Sequence, residues 1–399
     1  MIPMLPNTNI EILAGTLPEN AKANTPFSDQ ACALLADLST ALMRSEEAKA
    51  QADVVAFAFW CRKSQLARLK ERYIDNHLRL GRGLAFHISP GNVPINAFYS
   101  FAFGLLAGNA NVVRLPSKAS TSVDIILNVL STLFAKSKYT ELAQANAFVR
   151  YDAASDITNR LSAACDARII WGGDATIAQI RKSPLPPRAY EITFADRYSF
   201  AVLDADTIAG FSETDLERQA INFFNDTLKM DQNACSSPHL VIWKNGNNTS
   251  GKTRFWRAVD AYTKQTYTLE PVQSVDRHTR LLSGFISGPE QQLTTPISNP
   301  VQRVNLTGLP ANMDTLRGIY GLFYEFDATS LQEVAHIVNI KYQTLTYLGL
   351  DKTSLTEFVV ENRLHGIDRI VPVGSALDID TIWDGHDVLK ELTRIIDVR

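Results

Sequence analysis

One cysteine stands where a nucleophile is useful. In Asp231-Gln-Asn-Ala-Cys235-Ser-Ser-Pro-His239, small and polar residues and a proline make a turn directly ahead of the apolar run Leu240-Val-Ile-Trp243. A thiol at the mouth of a strand attacks carbonyl carbon when nearby charges or backbone N–H groups favour its thiolate. In apolar surroundings the same residue is a plain packing group. The remaining turns of the chain bear on that choice.

Three of them follow short apolar runs. Ser89-Pro90-Gly-Asn92-Val-Pro sets a tight strand-to-helix crossing, where the Asn92 amide either projects toward the carboxyl edge of a sheet or caps the helix. Val113-Arg114-Leu-Pro-Ser117-Lys118 puts two cations and a hydroxyl at a strand exit, suited to a phosphate or ribose and equally to a solvated loop. Trp171-Gly172-Gly173-Asp174 lets backbone N–H groups approach a pyrophosphate, although no GxGxxG fingerprint occurs in the chain.

The elements that must hold these turns are legible as an alternation. Residues 29–75 carry Ala and Leu at helical spacing and read as a helical lead-in. Strand-like runs at 83–88, 111–115, 147–150 and 167–171 then alternate with helical stretches around 92–110, 123–136 and 157–164, which predicts a parallel sheet flanked by helices. Residues 199–204 read as the last strand of this first sheet. A second unit is expected from about residue 208, with a helix at 215–224, the Cys235 turn, the Leu240 strand, a helix at 253–266, strands at 321–326 and 346–350, and a helix at 331–338.

Composition narrows the function classes. With 399 residues, 45% of them hydrophobic, the chain can fill the cores of two or three domains. A net charge of -3 gives no field of one sign, so neither nucleic acid nor an anionic membrane is the expected partner. Cys32, Cys61, Cys165 and Cys235 are far apart and show neither a disulfide framework nor metal-ligand spacing, so no metal site and a reducing cytoplasm are expected. The N-terminus lacks the basic start and apolar core of a signal peptide, and no export is implied. Residues 92–113 are uncharged and long enough to span a bilayer, but Asn, Pro and Gly interrupt them; they read as a buried helix running into a strand, with no membrane span.

Taken in order, these tracts resemble the aldehyde dehydrogenase superfamily: Pro90-Gly-Asn92, Gly108-Asn109, Arg114-Leu-Pro116-Ser117, Trp171-Gly172-Gly173-Asp174, Gln232-Asn-Ala-Cys235 and Ile319-Tyr320-Gly321. Within it the closer resemblance is to the LuxC-type fatty acyl reductases of bacterial luminescence. Its marks are Ser89-Pro-Gly-Asn-Val-Pro94, Gly108-Asn-Ala-Asn-Val-Val-Arg-Leu-Pro-Ser117, Ala234-Cys-Ser-Ser-Pro238, Arg369-Ile-Val-Pro-Val-Gly374 and Trp383-Asp-Gly-His-Asp387. The likeness covers most of residues 80–399. Relative to the luminescence enzymes the chain is short, which implies a reduced N-terminal region.

The resemblance implies an α/β, aldehyde-dehydrogenase-like fold of two parallel-sheet domains with a helical N-terminal lead-in. Its expected parts are a nucleotide-binding domain with the lead-in (1–206), a catalytic domain carrying the nucleophile (207–365), and a tail (366–399) that returns to the nucleotide-binding domain or an oligomer interface. It implies reduction of a long-chain acyl thioester to the aldehyde through an acyl-cysteine on Cys235, with the oxyanion held by the Asn92 amide and the Cys235 backbone N–H. Ser89, Pro90, Arg114, Ser117, Lys118, Gly172 and Gly173 would hold the nicotinamide cofactor, and Tyr320 would pack on the nicotinamide. His239 and His87 are the nearest proton donors in sequence, with a structural role as the other reading. The Trp383–Asp387 tract reads as structural.

Departures from the family pattern sharpen these expectations. The hydrolytic members' Glu-Leu-Gly-Gly tract is Tyr190-Glu191-Ile-Thr-Phe194 here, so Glu191 lacks the setting of a general base and hydride is favoured over water. The Glu that usually precedes the Ile-Phe-Gly tract is replaced by Arg317-Gly318. The loop from Arg114 to Lys118 contains no acid to hold two ribose hydroxyls and repel a 2′-phosphate, so NADPH is expected over NADH. The implied company is an acyl-CoA or acyl-carrier substrate, an acyl-protein synthetase partner and a homo-oligomer. Two rival readings remain: an acyltransferase or thioesterase that uses Cys235 without hydride, and a non-catalytic acyl-partner-binding subunit.

Overall fold

The computed structural model describes residues 9–73, 75, 77–287, 291–294 and 299–399, with 287 and 291–294 as backbone only. The chain divides into two compact units, Met1–Ala195 with Ile379–Arg399, and Asp196–Asp378.

The first unit begins with strands β1 (Glu11–Gly15), β2 (Leu78–Gly81), β3 (Leu84–Ile88), β4 (Ala110–Arg114), β5 (Asn146–Arg150), β6 (Ala167–Trp171) and β7 (Tyr190–Phe194). Six of them form one sheet in the order β1-β5-β4-β3-β6-β7, parallel throughout except for β1, which runs antiparallel to β5. Strands β3 and β6 are buried along their whole length, and β4 and β5 up to their final arginines. Helices on both faces explain why these runs are apolar without alternation.

The uncharged tract forms the helix Asn96–Leu106, buried at all but its first residue. Among the described residues no helix is long and apolar enough to cross a membrane. The lead-in contains helices Asp29–Arg44, Ala52–Trp60 and Lys63–Tyr73. The first is capped by Ser28 and buries Leu34, Leu35, Leu38 and Leu42 on one face. Each such leucine stabilises the packing by about 2 kcal/mol. Strand β1, ahead of these helices, is an element that the helical reading of the lead-in does not contain.

The second unit carries β8 (Tyr198–Asp204), β9 (Pro238–Lys244), β10 (Gln291–Thr294), β11 (Gln302–Leu306), β12 (Leu322–Ala328), β13 (Tyr342–Leu348) and β14 (Arg369–Pro372). Their order is β10-β11-β12-β9-β8-β13-β14, all parallel except the β10–β11 pair. Ser212 and Asn248 cap the covering helices Glu213–Asp226 and Thr249–Thr266 through their side chains. The stretch at Leu331–Ile337 is a 3-10 helix with a capping box between Ser330 and Glu333, where the spacing predicts an α-helix.

Two expected boundaries are corrected. Strand β8 is not the last strand of the first sheet but lies between β9 and β13 in the second, and β7 takes the edge position of the first. The physical reason is burial: all seven residues of β8 are buried, as a central strand requires, whereas β7 exposes Tyr190 and half-exposes Glu191. The first division therefore falls after Ala195 rather than after residue 206. The second falls after Asp378 rather than after residue 365, because β14 pairs with β13 and keeps residues 369–372 in the second sheet.

The returning tail forms β15 (Ile382–Trp383), β16 (His386–Asp387) and β17 (Thr393–Ile396). Strands β15 and β16 make a hairpin whose turn, Asp384-Gly385, has positive φ at both residues, the geometry that Asp-Gly favours. Strand β17 pairs antiparallel with β2, tying the end of the chain to the first unit.

Candidate active site

In the first unit the site-like residues gather at the carboxyl ends of β3, β4 and β6. After β3 the chain crosses to β4 on one side, while β6 lies on the other, so the ends of β3 and β6 form a topological switch point where open α/β sheets bind ligands. Ser89 follows β3 directly and donates its backbone N–H to Arg114 O at 3.1 Å. Its hydroxyl is buried without a protein partner, and so is Nε of Arg114. The Arg114 guanidinium lies over the Tyr151 ring, 4.8 Å from its centroid. Unfilled polar capacity at two adjacent strand ends is what a bound polar ligand would satisfy.

The surrounding loops are open. Asn92 is exposed, and the helix that follows has Ile95 at its N-cap with no side-chain cap, so the capping role for Asn92 falls away. Pro90 is buried, whereas Ser117 and Lys118 are exposed. A Cβ added at Gly91 or Gly173 would meet nothing within 4 Å, and one at Gly172 would meet only the Thr176 side chain. The protein's own packing does not require glycine at 91 and 173.

Sequence reasoning missed two neighbours of this group. Arg150 ends β5 as Arg114 ends β4, donates Nε to Pro116 O at 3.3 Å and lies 3.6 Å from the Glu11 carboxylate. Tyr151 supplies the ring under Arg114, and burial pushes its phenol up to about 12. The signal was the repeated ending, since an arginine closes both runs.

In the second unit, the Cys235 turn sits at the amino end of β9. Asp231 and Gln232 lead into it in left-handed conformations, with φ of 53° and 57°. The Tyr267 hydroxyl donates to the Asp231 carboxylate at 2.6 Å, and Gln273 donates to its other oxygen at 3.4 Å. The Gln232 amide donates to Pro238 O and Leu322 O and accepts from Gly321 N–H. The Ser199 hydroxyl donates to the Cys235 carbonyl at 2.7 Å. Cys235 is exposed. The other three cysteines contrast with it: burial raises the Cys32 thiol, holds that of Cys61 well above its usual range and pushes that of Cys165 up to about 12.

Tyr320, half-buried, shares a loop with Gly318 and Gly321. Arg277, itself buried, donates to Tyr320 O at 3.0 Å, and a Cβ at Gly318 would lie 1.8 Å from Leu322 O. Arg317, which replaces the family's Glu, forms a bidentate pair with Asp196 at 2.7 and 2.9 Å. His239 is buried and joins Gly318 O through Nδ1 at 2.9 Å; a carbonyl accepts, so Nδ1 carries the proton. Burial, with the Arg317 charge nearby, lowers its pKa to about 3. It is neutral at neutral pH and cannot serve there as a proton donor in the cationic form.

Three other groups also have structural tasks. His87 lies between Ser100 Oγ at 2.7 Å and Asn111 Oδ1 at 3.0 Å, and burial lowers its pKa to about 4. Its Nε2–H donates to Asn111, so Nδ1 accepts from Ser100, which in turn accepts from Trp171 Nε1. Glu191 neutralises the buried Arg168 and also accepts from Arg181 at 2.7 Å, which removes it as a base for water. In the Trp383–Asp387 tract, Trp383 joins the core and His386 Nδ1 bonds the Glu391 carboxylate at 3.0 Å.

The structure thus gathers Ser89, Pro90, Asn92, Arg114, Ser117, Lys118, Gly172 and Gly173 at one sheet edge of the first unit, and Cys235 and Tyr320 in the second. Comparison with known proteins adds three findings. A family model described as "Acyl-CoA reductase (LuxC)" matches residues 24–278. The long-chain acyl-protein thioester reductases of Vibrio harveyi and Aliivibrio fischeri are 25% and 23% identical, each over 79% of this chain and 63% of their own length. The chain therefore spans less than two thirds of these curated relatives. Among solved structures, an indole-3-acetaldehyde dehydrogenase complexed with NAD+ aligns with a TM-score of 0.67 at 12% identity, over 92% of this chain and 83% of that one. A NAD-dependent benzaldehyde dehydrogenase from Corynebacterium glutamicum aligns with a TM-score of 0.61 at 15% identity, over 94% and 85%. These likenesses show an aldehyde-dehydrogenase-like α/β fold.

Proposed function

The chain belongs to the acyl-CoA reductase (LuxC) family, and we propose on that premise that it reduces an acyl thioester to the aldehyde through an acyl-cysteine on Cys235, with NADPH as reductant. The observation that carries the reading is the setting of Cys235. It is an exposed thiol in a turn held by side-chain hydrogen bonds, while the other cysteines are wholly or partly buried.

The roles follow from the chemistry of the residues. The Cys235 thiolate attacks the acyl carbonyl, and the carbonyl electron pair moves to oxygen. The Cys235 backbone N–H and the Asn92 side-chain amide donate to that oxygen. Collapse expels the carrier thiolate and leaves the acyl group on Cys235. A dihydronicotinamide, when bound, would supply the hydride that the acyl carbon accepts. The same donors then hold the oxyanion again, and its collapse returns the Cys235 thiolate and releases the aldehyde. Glu191, committed to two arginines, gives water no base, which favours reduction over hydrolysis.

The unpaired Ser89 hydroxyl and Arg114 Nε fit a phosphate- and hydroxyl-rich cofactor. Pro90, Ser117, Lys118, Gly172 and Gly173 complete its cradle, and Tyr320 packs on the nicotinamide. Arg114 and Lys118 favour a 2′-phosphate, hence NADPH. The acyl donor is an acyl thioester of coenzyme A, of a carrier protein or of a partner such as a synthetase; the two relatives' names specify an acyl-protein thioester. A homo-oligomer completes the reading.

The test is NADPH oxidation by the purified protein with acyl-CoA of varied chain length, with aldehyde trapped and the Cys235→Ala variant run alongside. Chain-length-dependent oxidation that vanishes in the variant supports the reading. Acyl label retained on Cys235 without NADPH oxidation would replace it with acyl transfer.

A further inference from the structure

The parallel ladders of the second sheet break as they approach the Cys235 turn. The β8–β9 register shifts between Ser199 and Phe200, and the β8–β13 register between Tyr342 and Leu345. The Ser199 hydroxyl lies in that break. It accepts from Thr344 N–H at 3.1 Å and donates to the Cys235 carbonyl at 2.7 Å, and the side chain is fully buried.

A second break is filled in the same way. The β9–β12 ladder begins only at the Leu240–Tyr324 pair. Ahead of it, the buried Gln232 amide donates to Pro238 O at 3.3 Å and Leu322 O at 3.2 Å, and accepts from Gly321 N–H at 2.8 Å. The bond to Pro238 closes the turn 232–238 on itself with Cys235 at its centre. The bonds to Leu322 and Gly321 lock that turn to the loop of Tyr320.

We propose that Ser199 and Gln232 are positioning residues for Cys235: Ser199 fixes the nucleophile's own carbonyl, and Gln232 fixes the two ends of its turn and the Tyr320 loop beside it. The inference rests on the reading of Cys235 as the nucleophile. The turn is entered through two left-handed, non-glycine residues, a conformation that L-residues disfavour, so bonds from outside the turn add to its own backbone bonds in holding it. Acyl transfer needs the sulfur and its oxyanion donors aligned to within about half an ångström. Buried side chains that replace missing ladder bonds supply that alignment without occupying the space where substrate must sit.

Ser199→Ala, Ser199→Thr and Gln232→Leu, compared with the unaltered protein, separate this role from simple stabilisation. The readouts are the single-turnover rate of Cys235 acylation by an acyl-CoA, the pH profile of alkylation by iodoacetamide, and hydrogen exchange in the peptide 231–239. Ser199→Ala is expected to slow acylation by on the order of ten- to a hundredfold. Alkylation should change by less than about threefold, because displacement of iodide needs the thiolate but no aligned oxyanion donor. Ser199→Thr keeps the hydroxyl and should recover most of the acylation rate. Gln232→Leu should exchange faster across the turn.

Unaltered acylation in folded Ser199→Ala, equal losses of acylation and alkylation, or unaltered exchange in Gln232→Leu would each overturn the proposal. If the unaltered protein is never acylated on Cys235, the reductase reading fails, and the exchange measurement still decides whether the brace exists.

Discussion

Both units are built on parallel sheets, yet they treat their candidate residues in opposite ways. At the carboxyl ends of β3, β4 and β6, polar groups are left open: the Ser89 hydroxyl and Arg114 Nε have no protein partner, and Gly91 and Gly173 face space. At the amino ends of β9 and β12, bonding is dense, with the turn 231–239 held by Ser199, Gln232, Tyr267, Gln273 and His239. A binding edge needs unfilled hydrogen-bonding capacity, because the ligand supplies the partner. A nucleophile needs the reverse, a fixed frame around one exposed atom.

Substitution of the exposed atom should break the comparison most completely. Cys235→Ala is expected to lose both acyl labelling and aldehyde formation entirely, while Cys32→Ala, at a half-buried packing position, should keep turnover within about twofold. Retained labelling in the first variant would shift the chemistry to another residue. On the open edge, Asn92→Ala should lower turnover by on the order of a hundredfold with melting temperature unchanged, since the side chain is exposed and caps no helix. Full turnover in that variant would assign the oxyanion to other donors.

The two regions also differ in how far the sequence disclosed them. The open edge was readable because each of its residues follows an apolar run that ends in Gly, Pro or a cation; the runs at 83–88, 111–115 and 167–171 match β3, β4 and β6 within one residue. The braced turn was only half readable. Cys235 and Gln232 stand out in their own tract, but Ser199 is 36 residues from Cys235 and 145 from Thr344, and Gln232 is 90 from Leu322. No local pattern encodes such distances. The same limit misplaced β8, whose apolar run fits either sheet until its neighbours β9 and β13 are known. His239 and His87 looked available as acids only because the sequence does not show Gly318 O or the Ser100–Asn111 pair.

Charge at the open edge gives a smaller, graded effect. Arg114→Ala should lower kcat/KM for NADPH by about tenfold while changing that for NADH by less, which narrows the preference between them. The guanidinium also covers the Tyr151 ring, so a parallel loss with both cofactors would assign Arg114 to packing. Lys118→Ala, at an exposed position, should give the same direction with a smaller size.

The smallest expected effect comes from the braced side and is one of stability. His239 has its pKa lowered in the folded protein to about 3 by burial, against about 6.5 in an unfolded chain. The unfolded chain therefore binds a proton that the folded one refuses, and the stability tied to neutral His239 is fully present above pH 6.5 and lost progressively as pH falls toward 3. His239→Gln keeps a donor for Gly318 O and removes the titration, so its melting temperature should fall less than that of the unaltered protein as the pH is lowered from neutrality to about 5. His87, lowered to about 4 in the first unit, titrates in both proteins and cancels in the difference. Parallel melting curves across that pH range would mean that the imidazole is not held neutral by burial, and the brace around Cys235 would lose its His239 member.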